Sequence, residues 1–279
     1  MFTYLDPAVR RKLIERGQLR RINADGQPLD VDEKPDSSRL SVNLLGPIPL
    51  PMTLADWEHT FQWYAAVRNT ELSEVERLAK ALREAGGQHK FAEMASSMAV
   101  NSVLTCGDWH AGERPLVRVH SSCMTGDVFG SQRCECGPQL ASALQRIAEH
   151  PSGGMLIYMA GHEGRGIGLW AKAATYLLQD DGEDTYQANR SLGLPDDSRD
   201  FSEAAAILKH FFGEQPFDVL TNNPKKINDL KRSGLQDIRA IKHVAGVSDW
   251  NRKYLSAKAE KGHDIAAGDL QQPPEPADD

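Results

Sequence analysis

The sequence predicts an α/β protein of mixed α+β type, on two observations. From about residue 115 to 244, strand-like runs alternate with helical stretches of the length that packs against a sheet. In addition, 279 residues at 40% apolar and 25% charged are ordinary for a soluble protein and can bury a full core without staples.

The elements follow in order. Residues 1–44 are polar and turn-rich (NADGQPLDVDEKPDSSR), so they are expected to form an arm with weak structure of its own. GPIPLP at 46–51 is extended, because each proline pushes its predecessor out of the helical region. The stretch from Leu54 to Val67 is aromatic-rich, with Trp57, Phe61, Trp63 and Tyr64. TELSEVERLAKALREAGG at 70–87 is an amphipathic helix with Leu72, Val75, Leu78, Ala79 and Leu82 on one face and Gly86-Gly87 at its end. Together these predict a helical insertion over about 54–100, inside one domain spanning 45–262.

PLVRVH (115–120) is a strand leading into a cysteine-rich loop. PQLASALQRIAEH (138–150) is a helix, GGMLIYMA (153–160) a strand, GHEGRG (161–166) a loop and 167–182 a helix. Helices follow around 185–192 and 200–212. VLTNN (219–223) ends a strand, PKKINDLKRSG (224–234) is a helix with proline in its first turn, and IRAIKHV (238–244) is a strand. YLSAKAEKGH is a last helix, and composition predicts a disordered tail over 263–279.

A formal charge of −7 offers no electrostatic footprint for nucleic acid, although a local basic pocket for a small anion is compatible with it. The first residues lack the apolar core of a signal peptide, and no run approaches the ~18 apolar residues of a membrane span. The expected location is therefore cytoplasmic, where a cysteine cluster points to metal binding or catalysis rather than disulfides.

Three of the four cysteines lie in CMTGDVFGSQRCEC, residues 123–136. Idle buried thiols sit in apolar strands, whereas Gly126, Asp127, Ser131, Arg133 and Glu135 surround these. Three protein thiolates with one open position suit a catalytic zinc, and a fourth protein ligand would make a closed structural site. His120, His162 and Cys106 are the candidates for a fourth. Cys106 stands alone near the start of a strand and reads as a packing residue.

Downstream, Arg118, Arg165 and Lys226 suit phosphate oxygens, and the glycines around Arg165 let backbone approach an anion at a helix start. Lys225 and Lys226 in a helix's first turn oppose its dipole, which a nearby anion would relieve. On residue pattern alone Asp197, like Ser198 or Asp200, is a helix N-cap, and Tyr176 is core packing. A dinucleotide fingerprint is excluded, because the glycines of GHEGRGIGL fall at 164, 166 and 168 in the wrong spacing.

RVHSSCMTGDVFGSQRCECGPQL resembles the zinc and nucleotide loop of the GTP cyclohydrolase II family. GHEGRGIGL, DTYQANRSLGLPDDSRDF and LTNNPKK follow in that family's order, so the resemblance covers about 115–262, with a weaker echo at GPIPLP. It implies hydrolysis of GTP to formate, pyrophosphate and a diaminopyrimidinone ribosyl monophosphate, the first step of riboflavin biosynthesis. One zinc per subunit, magnesium on the phosphates and a homodimer are implied with it. By motif, Cys123, Cys134 and Cys136 would hold the zinc. Arg118, Val119, His120, Ser121, Ser122, Gln139, Glu163, Gly164, Arg165, Thr185, Thr221 and Lys226 would bind GTP, with Glu163 accepting from guanine N–H groups. Tyr176 would sit by the reacting base, and Asp197 would be the general base. Arg199 takes the position of the family's phosphoryl-side nucleophile, or stabilises charge there, since guanidinium stays protonated.

Two positions depart from the family pattern: Ser122 and Gln187 stand where glutamate is usual. They keep open a diverged member acting on another nucleotide or base, as in pyrimidine breakdown, or performing a partial reaction. A non-enzymatic zinc module would leave the arginine and lysine motifs unexplained.

Overall fold

The computed structural model describes residues 5–33, 36–54, 57–85 and 98–271. Its centre is a mixed nine-stranded sheet of order β2-β1-β3-β4-β5-β7-β6-β8-β9. The strands are β1 (Leu19–Asn23), β2 (Pro28–Leu29), β3 (Ser41–Leu54), β4 (Trp57–Arg68), β5 (Asn101–Cys106), β6 (Leu116–Ser121), β7 (Gly154–Met159), β8 (Phe217–Leu220) and β9 (Ile238–Ile241). β6 runs parallel to β7 on one side and to β8 on the other, and the pairings from β7 back to β1 and β2 are antiparallel. The chain thus leaves β6 in one direction to reach β7 and returns to its other flank as β8. Crevices for ligands form at the carboxyl ends of parallel strands where such a reversal occurs.

Strand alternation covers both faces. Val117, Val119, Met155 and Ile157 face one layer, which includes α6 (Ser202–Phe212) with Ala204, Ala205, Ile207 and Leu208 buried. Leu116 and Leu156 face the other, where α3 (Cys136–Glu149) brings Ala143, Leu144 and Ile147. Two-sided burial is why these strands read as near-continuous apolar runs. The other helices are α1 (Pro7–Glu15), α2 (Asn69–Ala85), α4 (Gly168–Asp180), α5 (Thr185–Ser191), α7 (Pro224–Arg232) and α8 (Arg252–Glu260).

Three expectations are corrected. The aromatic-rich part of the expected helical insertion is a strand: β4 pairs with β3 over most of its length, and only α2 is helical. Aromatic side chains fit a pleated, half-buried surface, and Phe61 is fully buried there. The rest of that expectation, residues 86–97, lies outside the described residues.

The polar stretch 1–44 is no loose arm either. It supplies α1, β1, β2 and the start of β3, and Ile22 and Val42 enter the core. Its polarity is used internally, since Arg21 is buried and donates to the carbonyls of Asp30, Val31 and Glu33. The part of the 263–279 tail that is described is ordered by contacts: Asp264 N–H donates to the Asn222 carbonyl, and Asp269 pairs with Lys242. Residues 272–279 lie outside the described residues.

Candidate active site and metal centre

Three loops leave the carboxyl ends of β6, β7 and β8 and meet at one pocket. After β6 comes the cysteine loop, whose residues Met124–Val128 form a single wide π-type turn. The Sγ atoms of Cys123, Cys134 and Cys136 lie within 4.8 Å of one another, with Cys123 and Cys134 3.5 Å apart. Gly126 makes this possible: a Cβ there would sit 3.0 Å from Cys134 Sγ and 3.2 Å from Cys123 Sγ. Zinc–sulfur bonds of about 2.3 Å fit a triangle of this size, so the donor set suits a metal ion. Hydrogen bonds from Cys134 and Cys136, aided by the Lys172 charge, hold Cys123 far below the usual thiol range. Cys134, hydrogen-bonded to Cys123 and buried, is pushed above it.

No histidine joins the three sulfurs among the described residues. His120 Nε2 faces both Asp127 oxygens at 3.1 Å, and its ring stacks on Tyr158. His162 is bound at both nitrogens, to Ser121 Oγ at 3.1 Å and to the Asp200 carbonyl at 3.0 Å. Cys106 ends β5 instead of beginning a strand and is not among the three.

After β7, Ala160–His162 makes one 3-10 turn, and Gly164, Arg165, Gly166 and Gly168 all take positive φ. Arg165, at φ 64°, is the one non-glycine with positive φ among the described residues. This backbone costs free energy for an L-residue. It sets the Arg165 guanidinium over the Tyr186 ring, 4.4 Å from the centroid. Both Glu163 oxygens are engaged: Oε1 accepts from Lys172 Nζ at 2.6 Å and Oε2 from Met124 N–H at 2.6 Å.

After β8, Thr221 Oγ1 accepts from Asn223 N–H, and Asn223 caps α7. The two lysines that follow separate. Lys225 is exposed and pairs with Asp229, whereas Lys226 is buried and donates to the Val119 carbonyl at 2.6 Å. Burial and the Arg118 and Arg199 charges push Lys226 well below the ordinary lysine range. Arg118 donates to the Leu220 carbonyl and to Gln139 Oε1, each at 2.8 Å, while its buried Nε has no protein partner. Burial lowers this guanidinium to about 10.

The pocket wall contains Arg118, His120, Ser121, Ser122, the three cysteines, Gln139, Glu163, Gly164, Arg165, Tyr176, Thr185, Arg199, Thr221 and Lys226. Of the motif-derived residues, Val119 contributes only its carbonyl to Lys226, and Asp197 stands behind Arg199. Asp197 does not cap α6; Asp200 receives the Ser202 N–H there. Instead Asp197 accepts from Arg199 N–H, Nε and a terminal nitrogen at 3.0, 2.9 and 2.6 Å. Burial raises its carboxyl, and Arg199 more than offsets this, leaving it at about 2. Arg199 also reaches Ser121 Oγ at 3.3 Å. Tyr176 points its hydroxyl at Thr125 Oγ1, 3.2 Å away, with the Arg133 guanidinium over its ring.

Sequence reasoning missed Lys172, Tyr254, Lys258, His263 and Asn222, which also line the pocket. Lys258 forms a buried ion pair with Glu135. Asp127 was visible only as a polar residue of the loop. Here it gathers His120, the Tyr158 hydroxyl and Cys123 N–H.

The sequence profile of the GTP cyclohydrolase II family matches residues 84–241. The chain belongs to the GTP cyclohydrolase II family. GTP cyclohydrolase-2 of Vibrio parahaemolyticus is 47% identical over 150 residues, 54% of this chain and 74% of the relative. The riboflavin biosynthesis protein RibBA of Mycobacteroides abscessus is 48% identical over 165 residues, 59% of this chain and 39% of the relative. The "probable bifunctional riboflavin biosynthesis protein RIBA 2, chloroplastic" of Oryza sativa subsp. japonica is 49% identical over 158 residues, 56% of this chain. The match spans 28% of that rice protein, so this chain corresponds to only part of the longer relatives.

The two departures from the GTP cyclohydrolase II pattern have local partners. Gln187 is exposed and closes a capping box with Asp184 at the start of α5, a task glutamine and glutamate share. Ser122 is buried and donates to the Ala160 carbonyl at 2.9 Å. Among the described helices none is long and apolar enough to cross a membrane.

The site also predicts an acid response. Burial, reinforced by the charges of Arg199, Arg118 and Lys258 respectively, holds His162, His243 and His263 at about 4. Each unfolded histidine titrates near 6.5, so between about pH 6.5 and 4 the unfolded chain binds protons that the native state refuses. Stability is therefore expected to be at its full value above pH 6.5 and to fall steadily down to pH 4. Urea unfolding across that range tests this, and His162→Gln should flatten the slope; a stability independent of pH there would refute it.

Proposed function

We propose that the chain hydrolyses GTP, opening the guanine imidazole ring with release of formate and pyrophosphate, as in riboflavin biosynthesis. The observation that carries this reading is the junction of a three-thiol metal site with a cation-rich pocket at the carboxyl ends of three parallel strands. A zinc ion held by Cys123, Cys134 and Cys136 would supply a hydroxide at neutral pH, by lowering the pKa of bound water to about 7.

The protein's own groups divide the remaining work. Arg118, with an unpartnered Nε, together with Arg165, Arg199 and Lys226, offers the positive surface for a magnesium-bound triphosphate. Thr185 and Thr221 add hydroxyls on the pocket wall, while Gln139 fixes the Arg118 guanidinium. Glu163 is the carboxylate for the base, with Gly164 and Arg165 shaping the backbone beside it. Three of its acceptor sites are taken by Lys172, Met124 and Gly164, so guanine would use what remains or displace one. Ser121, Ser122, His120 and Val119 hold the floor on which the phosphate side rests. Tyr176 lies beside the thiols through Thr125, where the reacting base would stand. Asp197, ionised across the physiological range, is the proton acceptor, and Arg199 stabilises charge on the phosphoryl group.

The reading includes a homodimer in the cytoplasm. Val128 and Phe129 on the cysteine loop and Trp170 and Leu177 on α4 are exposed apolar surface that a second subunit would cover. Sedimentation of the purified chain tests the dimer. The activity is tested by incubating zinc-quantified protein with GTP and magnesium and following formate, pyrophosphate and the pyrimidine separately. Equimolar appearance of all three supports the reading. Pyrophosphate without formate, or no product at all, refutes it.

A further inference from the structure

Lys172 is the feature of this site that no motif picks out. It sits in the first turns of α4 with its side chain buried, 49 residues along the chain from the cysteine that it touches. Its ammonium has three protons to donate, and three acceptors surround it. They are Glu163 Oε1 at 2.6 Å, Thr125 Oγ1 at 2.9 Å and Cys123 Sγ at 3.1 Å. A buried ammonium is costly unless paired and hydrogen-bonded, and all of its partners here belong to the site.

We propose that Lys172 is a positioning residue that ties the metal centre to Glu163, so that charge on the thiolates and the placement of that carboxylate depend on one ammonium. Electrostatics supports it. Three thiolates on a divalent ion leave one negative charge in excess, and Glu163 brings a second into the same buried space. Lys172 is the cation between the two.

Geometry supports it as well. Glu163 Oε2 accepts from Met124 N–H while Lys172 donates to Thr125, so the pair clasps the turn that begins at Cys123 from both sides. The clasp joins α4, the loop after β7 and the cysteine loop. Thr125 Oγ1 passes the contact on to the Tyr176 hydroxyl at 3.2 Å. Groups that hold a metal's ligands in place change metal affinity when removed, by about 10- to 100-fold. The proposal rests on the reading given above only for the role of Glu163 toward the base; its metal side is independent of GTP.

The test is zinc affinity, measured on the full chain by competition with a chromophoric chelator. Lys172→Met should weaken zinc binding by about 10- to 100-fold. Glu163→Gln keeps one acceptor for Met124 N–H and leaves Lys172 beside Cys123, so it should weaken zinc binding less than Lys172→Met does. Unchanged affinity in Lys172→Met, or equal losses in both variants, would overturn the proposal.

A second measurement does not depend on the methionine variant folding. In the cobalt-substituted wild-type, Lys172→Arg and Glu163→Gln proteins, the sulfur-to-cobalt charge-transfer band should differ, because each change alters donation to Cys123 Sγ. Identical bands in all three would overturn the proposal. If wild-type protein with zinc fails to turn over GTP while these shifts appear, the functional reading falls and the role of Lys172 stands.

Discussion

Cys134→Ser is expected to yield a folded protein that retains little or no zinc and releases no detectable formate from GTP. Cys134 is buried, its Sγ lies 3.5 Å from Cys123 Sγ, and it belongs to a cluster of only three ligands among the described residues. A serine hydroxyl keeps the size of the side chain but is a poor ligand for zinc at neutral pH, leaving two thiolates. The chemical loss is large because metal-bound water ionises near pH 7 against 15.7 in bulk, a factor of about 10⁸ in available hydroxide. Elemental analysis of the purified variant and a formate assay check both halves. A variant that keeps stoichiometric zinc and wild-type turnover would remove the cysteine cluster from the chemistry.

Arg199→Ala is expected to lower kcat by about 10²- to 10³-fold, the cost of removing one preorganised charge from a transition state. The same change should alter the pH profile. In the native protein Asp197 is held at about 2, so turnover that needs its carboxylate shows no inflection from it above about pH 4. Burial alone raises that carboxyl, and Arg199 supplies the opposing bonds and charge. With alanine at 199 the carboxyl should titrate higher, and an acidic limb should enter the profile.

The linked stability follows the same sign. A depressed carboxyl stabilises the native state above its unfolded value near 3.9, and that contribution disappears as pH falls through 2. Arg199→Lys, which keeps the charge but loses the fork, separates the two chemical roles. Recovery of a tenth or more of kcat supports charge stabilisation, whereas a lysine variant as inactive as the alanine variant favours direct covalent participation.

The cysteine loop was legible because its information is local. Three thiols within fourteen residues, spaced by glycine and charge, can converge through a single loop, and the turn at Met124–Val128 brings them together. The motif loops after β6, β7 and β8 were legible for a related reason. Apolar strand-like runs that end in polar, turn-forming residues (SSC, AGHEG and TNNP) show where each loop begins, and the resemblance then attached roles to those positions.

Misreadings came where neighbouring strands decide the conformation. Trp57 to Tyr64 carries aromatics that suit a strand or a buried helix equally, and pairing of β4 with both β3 and β5 chose the strand. Residues 1–44 looked too polar to fold, yet Arg21 spends its guanidinium on backbone carbonyls and lets Ile22 and Val42 enter the core.

By itself, then, the sequence determined the α/β class, the strands and helices from residue 115 onward, the three thiols and the arginine and lysine motifs. Each of these is written in a short window, where spacing and local backbone preference act. Only the tertiary structure decided that Lys226 is buried while Lys225 is exposed, that Gln187 caps a helix, and that Lys172 stands between Cys123 and Glu163. The burial of Lys226 and the contact of Lys172 with Cys123 bring together groups 107 and 49 residues apart, a proximity created by the order of the strands in the sheet, whereas the Gln187 cap is local and needed only the start of α5 to be placed.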